Sequence, residues 1–103
     1  MGVIHATEDN FNQLIGSDIV LVDFFATWCG PCKMLGPVLE SLASNRDNVK
    51  IVKVDVDECE TLARSYGIMS VPTLLLFKNG KLLGSKIGFM PETELQQWIE
   101  SVR

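Results

Sequence analysis

The stretch Ile19–Ala26, IVLVDFFA, narrows the fold more than any other segment of the chain. It is almost continuously apolar and rich in branched and aromatic side chains, whereas a strand with one wet face would alternate. A strand of this kind is covered on both faces, which calls for helices above and below the sheet. One residue breaks the run. A lone carboxylate at Asp23 is expensive to bury, and burial would raise its pKa. The simpler alternative is a carboxylate at a strand edge, exposed to solvent.

The flanking segments fit the same architecture. Val3-Ile4-His5-Ala6 reads as a short first strand. Phe11, Leu14 and Ile15 then recur at helical spacing, with Gly16 placed to end that helix. Beyond the cysteine motif, Met34, Leu35, Val38, Leu39, Leu42 and Ala43 follow a 3.6-residue period. They predict a helix of about a dozen residues from near Cys32, kinked by Pro37. Val49–Val56 alternates as a third strand, and a short helix over Glu58–Tyr66 can end at Gly67. Thr73–Phe77 is a fourth strand, Asn79-Gly80 a hairpin signal, and Lys81–Ile87 the returning fifth strand. The last helix has Pro91 at its first position and Glu92 and Glu94 near its positive end. Leu95, Trp98, Ile99 and Val102 lie on one face, so Trp98 reads as core. The order β-α-β-α-β-α-β-β-α predicts an α/β fold with a mixed five-stranded central sheet flanked by four helices. Helix-joined strands are expected to be parallel, with an antiparallel edge at the hairpin.

At 103 residues the chain is expected to form a single domain, 1–103, whose 47% hydrophobic content can supply a core without a staple. The charge of −4 comes with no basic stripe, which argues against nucleic acid, and with no polybasic membrane anchor. No apolar stretch is long enough to span a membrane. The N-terminus MGVIHATED has neither a signal-peptide pattern nor a myristoylation pattern. A cytoplasmic location is therefore expected.

Two of the three cysteines lie together in Trp28-Cys29-Gly30-Pro31-Cys32-Lys33. In a reducing compartment such a pair is catalytic or metal-binding more often than structural. A zinc set could be assembled from Cys29, Cys32, Cys59 and His5. Against it stand the missing second C-x-x-C, a histidine far off in sequence and the proline beside the pair, so no metal is expected. Cys59 reads as a passive thiol at a helix start, with an oxidisable or intermolecular role as the alternative.

The cysteine motif follows a strand carrying Asp23, and Pro37 lies in the next helix. Further on come Lys53 in the third strand, Val71-Pro72-Thr73 before the fourth, Asn79-Gly80, and Gly88 after the fifth. With these marks in order, the sequence resembles the thioredoxin family across essentially its whole length. Two positions depart from the family pattern: Phe25 stands where a second Trp is common, and Phe89 follows Gly88 where a small residue is more usual.

The resemblance implies a thioredoxin fold and a protein disulfide reductase, a thiol–disulfide oxidoreductase working through a redox-active Cys29–Cys32 disulfide. Only a thiolate attacks a disulfide at a useful rate, and Cys29 just ahead of a helix faces unpaired N–H groups and the positive end of the dipole. Cys29 is then the nucleophile and Cys32, one turn inward, the resolving thiol. Pro31 stiffens the turn without leaving an N–H to satisfy. Gly30-Pro31, lacking the charge of a histidine there, points towards a reductant. By resemblance Asp23 lies behind Cys32 and accepts its proton through water, and Lys53 moderates the charge of Asp23; an ordinary solvated lysine is the alternative. Val71-Pro72 is the expected cis peptide, packed on the disulfide and presenting the Val71 backbone to an extended substrate. A trans proline opening a strand is the other reading. Trp28, Ile87 and Gly88 complete the docking surface.

The resemblance further implies no bound cofactor, with NADPH used indirectly through a flavoprotein thioredoxin reductase. The chain itself has no nucleotide-binding fingerprint. Expected substrates are disulfide-containing proteins such as peroxiredoxins, methionine sulfoxide reductases and ribonucleotide reductase, met by a monomer. A glutaredoxin-like enzyme would carry Pro-Tyr between the cysteines. The remaining alternative is a redox-independent accessory subunit that docks in a larger complex.

Overall fold

Period-two alternation along the strands sorts their side chains into two layers. A computed structural model describes residues 2–45 and 49–103. In chain order the elements are β1 (Ile4–His5), α1 (Phe11–Leu14), β2 (Ile19–Phe25), α2 (Gly30–Asn45), β3 (Val49–Asp55), α3 (Glu60–Ser65), β4 (Thr73–Lys78), β5 (Lys81–Ile87) and α4 (Glu92–Glu100). Among the described residues this is a mixed five-stranded sheet with four helices, the architecture expected from the element order. Strands lie in the order β1-β3-β2-β4-β5.

β2 is central, and its two faces feed two cores. Ile19 and Leu21 pack with Leu35, Leu39 and Leu42 of α2 and with Leu95 and Ile99 of α4. Val20, Val22 and Phe24 face the other way, towards Phe11 of α1 and Ala63 of α3. This double cover is why IVLVDFF carries almost no polar residue: each buried Leu, Ile or Phe contributes about 1.5–3 kcal/mol.

Antiparallel pairing begins one strand earlier than the hairpin signal indicates. β1 and β2 both run parallel to β3, but β4 is antiparallel to β2, as β5 is to β4. Both edges of β3 are taken, and β4 adds beside β2. It starts where β2 and β3 end, since Phe24 is opposite both Val54 and Thr73, and from there it runs back.

Several element ends differ from the sequence reading. β1 is confined to Ile4–His5, and α3 to Glu60–Ser65. Pro91 is the N-cap of α4 rather than its first helical residue, with an extended ψ of 157° and a carbonyl that accepts the N–H groups of Glu94 and Leu95. α2 starts at Gly30, earlier than Cys32, and continues through Pro37 to Asn45. Trp98 is only half-buried, at the margin of the core. Its ring lies over Gly84 of the edge strand β5, where a Cβ would sit 3.6 Å from Cζ2, with Lys86 Nζ 5.2 Å from the ring centre. The hairpin is as the dipeptide predicts, with Asn79 and Gly80 both at positive φ, 52° and 83°.

Candidate active site

Cys29 follows the short link from β2, and because α2 begins at Gly30 it holds the N-cap position. Its carbonyl accepts the N–H of Lys33 at 3.2 Å, and its Sγ accepts the N–H of Cys32, also at 3.2 Å. An N-cap serine or aspartate places an oxygen where this sulfur sits. The site is in its oxidised form, a Cys29–Cys32 disulfide with Cα atoms 5.2 Å apart, so Sγ here is a disulfide sulfur. After reduction the same N–H and the positive end of a sixteen-residue helix face a thiolate, and both favour the anion. Pro31 falls in the first turn, where a missing N–H leaves no hydrogen bond unmade. Gly30 and Pro31 are exposed, whereas both sulfur-bearing residues are buried with Ala26 and against Phe25, Val56 and Val71.

The turn before β4 closes the other side. The Val71–Pro72 peptide is cis, and the Val71 carbonyl oxygen lies 3.7 Å from Cys29 Sγ. Gly88 donates its N–H to the Pro72 carbonyl at 2.9 Å and adopts φ 96°, a conformation that excludes most side chains. Ile87, opposite Thr73 in the β4–β5 ladder, is exposed beside it. Trp28 is 69% exposed, yet its indole is held, with Nε1 donating to Asp57 Oδ2 at 2.9 Å. A groove of about 380 Å³ opens next to it, lined by Trp28, Val56, Ile68, Met69, Ser70 and Val71.

Asp57 was missed by the sequence reading. It lies 29 positions from Trp28 and inside a run of acids that reads as solvated surface. The available signal was its place just past the end of β3, at the rim where neighbouring strands deliver the site. There the Asp57 N–H also donates to Asp55 Oδ1, which fixes the turn.

Asp23 is fully buried, and neither carboxylate oxygen has a hydrogen-bond partner among the described residues. Burial pushes its pKa up from 3.8 to about 7, with the Lys53 charge pulling partly against that rise. Lys53 pairs with it across the β2–β3 ladder, half-buried, its Nζ 4.3 Å from the centre of the Phe25 ring. Alternation sets Asp23 on the same face as Leu21, under α2, and towards the end of β2 that leads to the cysteines.

The residues weighed for zinc are dispersed. Cys59 lies in the core on the α1/α3 face, its thiol pKa raised by burial and by Glu8, Glu58 and Asp55. His5 is exposed, edge-on to Phe25. Among the described residues no group of three or more His, Cys, Asp or Glu could hold a metal ion. No described helix is long and apolar enough to cross a membrane.

A comparison with known families matches residues 2–101 to the Thioredoxin model. A thioredoxin of Bacillus subtilis is 46% identical over 100 residues, covering 96% of either chain. One of Staphylococcus saprophyticus is 46% identical over 101 residues, covering 97% of each. Among solved structures, a mutant thioredoxin from Halobacterium salinarum superposes with a TM-score of 0.92 at 40% identity, covering 97% of this chain and 89% of that one. A second structure has a TM-score of 0.88 at 38% identity, covering 96% and 94%. It is described as the structural basis of the thiol-resolving mechanism in yeast mitochondrial 1-Cys peroxiredoxin via glutathione/thioredoxin systems.

Proposed function

The chain belongs to the thioredoxin family and is a protein disulfide reductase, and from that premise we infer how its residues divide the reaction. The observation that carries the reading is the Cys29 sulfur at the N-cap of α2 with the Cys32 N–H directed at it. In the reduced protein the Cys29 thiolate attacks one sulfur of a partner disulfide. The partner S–S bond breaks, one partner thiolate leaves and takes a proton, and Cys29 is joined to the other sulfur. Cys32 then loses its proton and attacks Cys29 Sγ, expelling the second partner thiolate and closing the Cys29–Cys32 disulfide. Two electrons have passed to the partner, and its two thiolates are neutralised by the proton released from Cys32 and one from solvent.

Asp23 is the proton acceptor for Cys32, by way of water. A carboxyl titrating near 7 is suited to both taking and returning a proton at neutral pH. Lys53 limits the rise in that pKa and so keeps the group poised. Gly30 and Pro31 leave the sulfur approachable and the first turn rigid. The Val71 backbone, with Pro72 behind it, pairs with an extended substrate segment, a mode that gives affinity without demanding one sequence. Trp28, Ile87 and Gly88 form the surrounding rim.

Electrons return to Cys29–Cys32 from NADPH through a flavoprotein thioredoxin reductase, with no cofactor bound by this chain. Disulfide-bearing proteins are the substrates. The likeness to the structure described for the peroxiredoxin system supports peroxiredoxins among them, and methionine sulfoxide reductases and ribonucleotide reductase extend the set. The chain acts as a single-domain monomer in the cytoplasm. Nothing observed favours the accessory-subunit alternative.

Reduced protein should cleave the accessible disulfides of insulin, over many turnovers once dithiothreitol is supplied to regenerate the Cys29 and Cys32 thiols. Cys29→Ser should abolish the reaction, and Cys32→Ser should accumulate covalent mixed disulfides visible on a non-reducing gel. Sustained turnover by Cys32→Ser would refute this division of roles.

A further inference from the structure

Met69 is 94% exposed, more than any other large apolar side chain among the described residues. It also lines the groove beside Trp28 and Val71, and the Val71 carbonyl leads to Cys29 Sγ. A thioether so placed is open to oxidants, because methionine oxidation follows exposure. The other described methionines give an internal scale: Met34 on α2 is 62% exposed and Met90 in the α2/α4 core only 8%.

We propose that Met69 is an oxidation site at which a hydroperoxide forms methionine sulfoxide, weakening the docking of protein disulfides while leaving Cys29–Cys32 exchange intact. This rests on the docking role given above to the rim around Cys29. One hydroperoxide oxygen bonds to Sδ as the O–O bond breaks, and sulfur gives up two electrons. The other oxygen leaves with the proton as water or an alcohol. The product carries a strong acceptor where the groove wall is Trp28, Val56, Ile68 and Val71, with Ser70 as its polar side chain. A partner that covers this groove must strip water from the sulfoxide without replacing its hydrogen bonds. Hydroperoxides also oxidise protein thiols on the way to disulfides, so Met69 senses the oxidant class that generates the substrates.

Hydrogen peroxide is applied to the disulfide form, in which Cys29 and Cys32 are protected and Cys59 is a buried thiol with a raised pKa. After the peroxide is removed, peptide mass spectrometry should find sulfoxide at Met69 ahead of Met34 and far ahead of Met90. The modified protein is then reduced and assayed on insulin and on a small aromatic disulfide that needs no groove. KM for insulin should rise roughly five- to tenfold, with the small-disulfide rate changed by less than about twofold. Each variant is compared with its own untreated form: Met69→Leu should show no response to peroxide, while Met34→Leu should keep it. Full oxidation of Met69 with an unchanged KM for insulin would overturn the proposal, as would an equal loss in Met69→Leu. Failure of the untreated protein to reduce insulin at all would instead remove the reductase reading, and the proposal with it.

Discussion

A carboxyl buried in β2 without a hydrogen-bond partner gives stability a dependence on pH opposite to that of most acids in proteins. The folded pKa of Asp23, about 7, lies above the unfolded value of 3.8, so between those values the native state holds a proton that the unfolded chain has lost. Stability therefore falls as pH rises through that window. The difference of about three units corresponds to roughly 4 kcal/mol, absent below ~pH 4 and complete above ~pH 7.5. Urea titrations of the oxidised protein should show this decline, and Asp23→Asn should flatten it, its advantage over the parent growing with pH and vanishing near ~pH 4. A parent whose stability stays level or climbs relative to the Asn variant over that range would mean that the pKa is not raised. The carboxylate could be singled out from IVLVDFFA because it interrupts an apolar run. Its missing partners could not be read there, because they depend on what α2 and β3 bring alongside.

Elements rather than single residues hold Trp28. β3 ends in the Asp55–Asp57 turn, and Asp57 anchors an indole carried by the link from β2 to α2. Asp57→Ala should leave the fold intact and free the ring, seen as a shift in tryptophan emission. It should raise KM for insulin roughly two- to tenfold, the value of one side-chain hydrogen bond, with less effect on a small disulfide. Equal losses on both substrates would place the role of Asp57 in the chemistry instead. The start of α2 shows how local signals mislead at this scale. The apolar period from Met34 onward placed the expected start near Cys32, yet Gly30 and Pro31 already occupy a first turn in which N–H groups have no intrahelical partners. That shift matters chemically, since it makes Cys29 the cap.

Across the whole molecule, α2, which carries Cys32, packs with α4 in one core, and the opposite face of the sheet carries a second core. Phe11, Phe24, Tyr66 and Phe77 form an aromatic cluster on the α1/α3 face, with ring centres 5.6 to 6.3 Å apart. Phe24→Ala should cost about 3–5 kcal/mol and lower Tm by about 15 °C or more, while insulin reduction at low temperature persists. A large loss of activity without loss of stability would show the cores to be coupled. The sequence alone determined the element order, the doubly covered central strand, the Asn79-Gly80 turn and the reactive cysteine pair, because period, apolar runs and turn residues act over a few neighbouring positions. Tertiary structure decided that β4 runs antiparallel beside β2, that Trp98 sits at the core margin and that Asp57 grips Trp28. It also brought the Val71 carbonyl to Cys29 and Gly88 to Pro72. Those outcomes depend on which edges are occupied and which distant chain segments meet, and no local pattern encodes them.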